Sequence, residues 1–256
     1  LRPGMSRNIL LLLEALHLAG VLLGHRKLAI ELVDAGIVKA FLKLPRLDTV
    51  NEGVAFCLQR LQGVSQAMEM VSASPPAMRA ELMKLVCNFI SSGNDAARRD
   101  VALFVATAFH YPSLLAEFDR QSGVQKLIIV LKTILLARFE STYTNASRHV
   151  TFHTCHAIRQ YLRANFVVFV ESLRQRVGSS SKSSKGMKLP LRHVELSVQS
   201  IDSLIKVING DKRIAAMFSR QRLTPVEQLL EGGGVSVMLD IIQELQPGEK
   251  YAHETC

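Results

Sequence analysis

The stretch Gly36-Ile37-Val38-Lys39-Ala40-Phe41-Leu42-Lys43-Leu44 decides the fold, because it recurs. It returns as Gly123-Val124-Gln125-Lys126-Leu127-Ile128-Ile129-Val130-Leu131, and again as Gly234-Val235-Ser236-Val237-Met238-Leu239-Asp240-Ile241-Ile242. Each copy is a glycine, a β-branched residue and an apolar run at helical spacing. Glycine supplies the positive-φ turn that ends one helix and lets the next begin. The apolar stripe packs on a neighbouring repeat. Positions 36 and 123 lie two units of roughly 40–47 residues apart, the size of armadillo or HEAT repeats. A middle unit is expected near residue 79, where 77–90 offers Met78, Leu82, Leu85, Val86 and Phe89 on one face but no glycine. The expected fold is therefore all-α, an armadillo/HEAT-like helical repeat superhelix.

The third copy follows the second at a distance that breaks the period. Two features fill the gap. One is a long helical pattern from Arg148 to about Val177, with Cys155, Ile158, Leu162, Phe166, Phe169, Leu173 and Val177 on one face. The other is Gly178–Lys188, rich in Ser and Lys, with almost nothing to bury. The expected organisation is repeats over 1–177, a flexible linker over 178–190, and further repeats over 191–256 continuing the same stack. Thr224-Pro225-Val226-Glu227 reads as a capping box with Pro in first position, and Asn94 as the cap of a helix running to Phe109. The chain opens at Leu1 rather than Met and is read as a piece of a longer protein.

Composition narrows the function. The 256 residues are 48% hydrophobic and 21% charged, which suits a packed globular core. No run is long and apolar enough to span a bilayer, so the protein is read as soluble, without a membrane partner. Cys57, Cys87, Cys155 and Cys256 form no Cys-x-x-Cys pair and suggest reduced thiols in a nuclear or cytosolic setting. Asn145-Ala146-Ser147 is then a chance sequon. The net charge of +9 is local: residues 148–192 carry nine Lys/Arg against the single acid Glu171.

No phosphate-binding loop, dinucleotide fingerprint, nucleophile elbow or His-Glu-x-x-His occurs, and Gly232-Gly233-Gly234 reads as a helix terminator. The best metal candidate is His149, His153 and His156 beside Cys155, which could share one helix face. Structural zinc usually shows paired ligands at short spacing, so the expectation is no metal, no cofactor and no catalytic residue. Arg159, Arg163 and Arg174 form the candidate partner-binding face. A solvated helix side is the plain reading of such charges. The functional one is docking of an acidic protein segment, with nucleic acid as the alternative using the basic 148–192 segment. Few aromatics interleave, which weakens base stacking.

Several phrases together resemble the Vpr-binding protein family, substrate receptors of the cullin-4 ubiquitin ligase. The most specific is Glu117-Phe118-Asp119-Arg120, then Gly123 and Lys126-Leu127. Next is His153-Thr154-Cys155, followed by Ala157, Arg159 and Tyr161. Glu14-Ala15-Leu16, Leu44-Pro45-Arg46, Gly53-Val54 with Cys57-Leu58, and Ala67-Met68-Glu69 with Val71 are weaker matches. Order and spacing are similar from Glu14 to about Arg176; beyond that only the helical pattern is. The resemblance implies a non-catalytic, nuclear scaffold, with a cytoplasmic pool as second location. It serves a substrate receptor that promotes ubiquitination. In this family a LisH motif and a WD40 propeller follow the repeats, and the propeller region meets the ligase adaptor. Cullin-4 ligase subunits would thus be reached through regions outside this chain.

Overall fold

In the computed structural model the described residues are 3–91, 94–139, 144–179 and 193–244. They form fourteen helices and no strand. These are α1 (Pro3–Leu23), α2 (Arg26–Asp34), α3 (Ile37–Lys43), α4 (Asp48–Leu61), α5 (Ser65–Ala73), α6 (Pro76–Ser91) and α7 (Asp95–Ala108). They continue as α8 (Pro112–Arg120), α9 (Gly123–Phe139), α10 (Asn145–Ser179), α11 (Val198–Gly210), α12 (Lys212–Arg220), α13 (Thr224–Glu231) and α14 (Gly234–Glu244). The fold is an all-α helical repeat.

Three ladders of helices build it. α1, α4, α7 and α10 pack in succession; α2, α5 and α8 form a second row; α3, α6, α9 and α14 form a third. Each unit is thus a short helix followed by two others, and α2, α5 and α8 are each nine residues long. No unit can bury its apolar face alone, so stacking neighbours creates one continuous core. That core runs from Leu16 to Ile241. The middle unit expected near residue 79 is α6, where Pro75 and Pro76 do the punctuating. The third copy of the phrase, out of period in sequence, is in register in space: α14 lies beside α9. The period breaks because α10 has 35 residues against 14 for α7, and α11 and α12 pack on it. Of the expected linker over 178–190, residues 180–190 lie outside the described residues; Gly178 and Ser179 belong to the end of α10.

Two local expectations need correction. The phrase's glycine takes the left-handed conformation only in the first copy, at Gly36 (φ 90°). In the others the left-handed residue is one place earlier, Ser122 (φ 53°) and Gly233 (φ 70°). Gly123 is needed for a different reason: a Cβ there would lie 2.4 Å from ring atoms of Phe118. Ser122→Gly is accordingly expected to stabilise the fold by about 0.5–1 kcal/mol, since serine is strained at positive φ. Equilibrium urea unfolding checks this; a loss of stability would contradict it. The second correction is at α13. Its N-cap is Leu223, with no side-chain cap hydrogen bond, and Pro225 is the second helical residue. Asn94 does cap α7, its side chain accepting from the Ala97 N–H at 3.1 Å.

Candidate docking site on the long helix

α10 presents three functional faces, set by its neighbours. Toward α7 it turns Val150, Thr154, Ala157, Tyr161 and Ala164, all at most 1% exposed. Their mostly small side chains let the helices approach closely. The larger Leu162, Phe166, Phe169 and Val177 flank that seam, half-buried, and Phe166 and Phe169 meet Phe218 of α12 at 6.2 and 5.6 Å. The solvent side carries the basic residues.

The three candidate arginines differ in their surroundings. Arg159 is exposed, and its Nη2 donates to His156 Nδ1 at 2.8 Å, which makes that nitrogen the unprotonated one. Arg163 is half-buried and donates from Nη1 to the Leu196 carbonyl at 3.3 Å. Arg174 pairs with Glu171 at 2.7 Å and is partly exposed. Their spacing keeps all three near one side of the helix. Of the remaining basic residues of this segment, Lys182, Lys185, Lys188 and Arg192 lie outside the described residues.

Arg163 fastens a segment that sequence reasoning did not single out. Residues 193–196 lie outside any helix, with Val194 and Leu196 buried and His193 and Glu195 exposed. The Val194 N–H donates to the His110 carbonyl at 2.7 Å, and His110 Nδ1–H donates back to the Val194 carbonyl at 2.8 Å. His193 stacks on His110 with centroids 5.1 Å apart. Alternating burial over only four residues is too short a signal to read from sequence.

In the histidine cluster His149 is exposed, and His153 and His156 are half-buried. Among the described residues no group of three or more His, Cys, Asp or Glu could hold a metal ion. Burial, then the nearby His149, His156 and Arg99 charges, push His153 down to about 4. Its Nδ1 is buried and unpartnered. Burial lowers His156 as well, followed by the charges of Arg159 and Arg163. Two of the thiols are held protonated by burial. Burial pushes Cys57 up to about 12 and Cys87 to about 11, far from the depressed values of reactive cysteines. No helix among the described residues is long and apolar enough to cross a membrane.

The phrases that carried the family resemblance meet in the interior. Phe118 is fully buried, edge-on to Phe109 at 4.9 Å and tilted against Tyr161 at 5.9 Å. The Tyr161 hydroxyl donates to Asp119 at 2.6 Å. Glu117, 4% exposed, pairs with Arg120. The motif is therefore the joint between α8 and α10, which is why these residue types occur together.

Comparisons agree with this architecture. The DCAF1 helical domain profile matches residues 151–256, and the Mahjong helical domain profile matches residues 4–75. The chain is 28% identical to the DDB1- and CUL4-associated factor homolog 1 of Arabidopsis thaliana, over 95% of this chain and 14% of that protein. It is 24% identical to protein mahjong of Drosophila melanogaster, over 92% of this chain and 16% of that protein. The Caenorhabditis elegans DDB1- and CUL4-associated factor homolog 1 is 25% identical, over 72% of this chain and 11% of its own length. The chain thus spans about a seventh of the length of the first two relatives. Both profiles fall on one stack of helices, and in its helical-repeat sequence the chain is similar to the Vpr-binding protein (DCAF1) family.

Proposed function

We propose that the chain is a non-catalytic interaction scaffold, the helical-repeat part of a substrate receptor for a cullin-4 RING ubiquitin ligase. The observation that carries this is the similarity over 95% of the chain to a protein named for association with DDB1 and CUL4. The scaffold works mainly in the nucleus, with a cytoplasmic pool. Ligase subunits are reached through parts of the protein outside this chain. Here the repeats hold a substrate, or another segment of the receptor, so that it is presented for ubiquitination.

The docking face we assign is the solvent side of α10 around Arg159 and Arg174. Arg159 is exposed, and arginine offers carboxylates a planar fork. Arg163 contributes less directly, because its guanidinium is engaged with Leu196. A charge reversal at Arg159→Glu with Arg174→Glu, in protein that keeps its helical content, is expected to abolish salt-sensitive capture of acidic partners from nuclear extract. Exposed charges are screened over about 8–10 Å at moderate ionic strength, so capture by the parent protein should already weaken with salt. Mass spectrometry of the captured material is the readout. Ligase subunits or their substrates among the lost proteins support this reading. Unchanged capture rejects the face. Loss of nuclease-protected nucleic acid instead identifies a nucleic-acid-binding repeat protein.

A further inference from the structure

Between α8, α10 and α13 lies an open cleft of about 400 Å3. Several of its side-chain donors are engaged within the protein. The Tyr161 hydroxyl donates to Asp119 at 2.6 Å, and Asn165 Nδ2 donates to the Tyr161 carbonyl at 3.0 Å. Ser172 Oγ donates to the Phe169 carbonyl at 2.7 Å. Arg222, at the rim, is held by Glu227 at 3.2 Å. The start of α13 also faces the cleft, but it offers little to an anion. Val226 and Glu227 already donate their N–H groups to the Leu223 carbonyl at 2.8 and 3.2 Å, and Pro225 has none.

The acceptors are not spent. A carboxylate has four lone-pair sites and Asp119 uses one of them for Tyr161. No cation among the described residues pairs with it. Asn165 lines the same wall, and its side-chain amide carries a further acceptor oxygen. Gln228 Oε1 sits 3.4 Å from the Tyr161 oxygen, but that hydroxyl has one proton and gives it to the nearer Asp119. Val168, Phe169 and Pro225 complete an apolar side. Burial raises Asp119 above the usual carboxylate range, as expected for an acid lacking a counter-ion.

We propose that this cleft binds the guanidinium group of an arginine side chain presented by a partner peptide, with Asp119, Asn165 and Gln228 as acceptors and Phe169 flanking the stem. A guanidinium offers five donors in one plane and suits three dispersed acceptors better than the three donors of an ammonium. The proposal does not rest on the ligase reading.

The test uses the whole chain and the peptide acetyl-Gly-Arg-Gly-amide, followed by NMR on the side-chain amide signals of Asn165 and Gln228. A saturable shift of both is expected. The citrulline counterpart, same shape without charge, should bind about tenfold more weakly or worse, and so should the arginine peptide to Asp119→Asn. Because Asp119→Asn also disturbs the Tyr161 joint, Gln228→Glu provides an independent check. It adds a second carboxylate and should tighten binding about tenfold. Absence of a saturable shift, equal binding of the citrulline peptide, or indifference to both substitutions would overturn the site. Agmatine binding as tightly as the peptide would overturn the assignment to a peptide partner.

Discussion

Phe118→Ala is expected to destabilise the protein by about 3–5 kcal/mol, the usual cost of emptying a fully buried phenylalanine site. Phe118 is 0% exposed and lies at the centre of the α8–α10 joint. Phe109 meets it edge-on at 4.9 Å, Tyr161 at 5.9 Å, and the backbone of Gly123 closes over its ring. Little can collapse into the space, because Gly123 has no side chain to fill it and Tyr161 is tied to Asp119. For a chain of this size the thermal midpoint should fall by roughly 10 °C. Differential scanning calorimetry measures it. A fall of under about 3 °C would mean that the joint does not hold the repeats together. Leucine at the same place keeps most of the apolar volume and should recover much of the loss.

Acid should loosen the same region before it unfolds the rest. Burial holds His110, His153 and His156 below the ordinary histidine value. A group whose folded pKa is depressed binds its proton less readily folded than unfolded. Stability from these three is therefore fully present above about pH 6.5 and is lost as pH falls from there through the folded values, about 4 for His153. Full conversion of the His153 shift would be about 3 kcal/mol; partial solvent access reduces it, and about 1–2 kcal/mol is the expectation. Asp119 works in the opposite direction, since burial raises it and protonation then relieves a buried charge. Urea unfolding at pH 7.5 and pH 5 measures the difference, and His153→Gln should remove much of it. If the variant keeps the whole pH dependence, the effect belongs to other groups. His110 has a separate readout: its hydrogen bonds to Val194 predict early loss of amide protection at Val194 as pH falls.

The helices and their repeat were legible in the sequence because helix formation is local. Apolar residues at 3.6 spacing, a capping Asn94, and glycine or proline between runs specify α3, α6, α7, α9, α10 and α14 without reference to anything distant. The concentration of positive charge near α10 was legible for the same reason. The buried side of α6 was legible too, with Leu82, Leu85, Val86 and Phe89 buried as read, whereas that of α10 was legible only in part. There Cys155, Ile158 and Leu173 are buried as read, but Leu162, Phe166, Phe169 and Val177 lie on the flank, while Thr154, Ala157 and Ala164 form the seam. Small residues give no periodic signal, yet they permit the close approach of α7. Likewise Ser122 and Gly233, not Gly123 and Gly234, take the left-handed turn, since backbone conformation depends on how the flanking helices must meet.

The cleft belongs wholly to tertiary structure. Asp119 and Tyr161 are 42 residues apart, and Tyr161 and Gln228 are 67 apart. No motif links them. The sequence determined that the chain makes helices that stack, because hydrophobic periodicity leaves each unit with a face to bury. Only the stack decided that a half-buried carboxylate would meet a tyrosine that orients it and, among the described residues, no cation that pairs with it, because that depends on which repeats become neighbours in space.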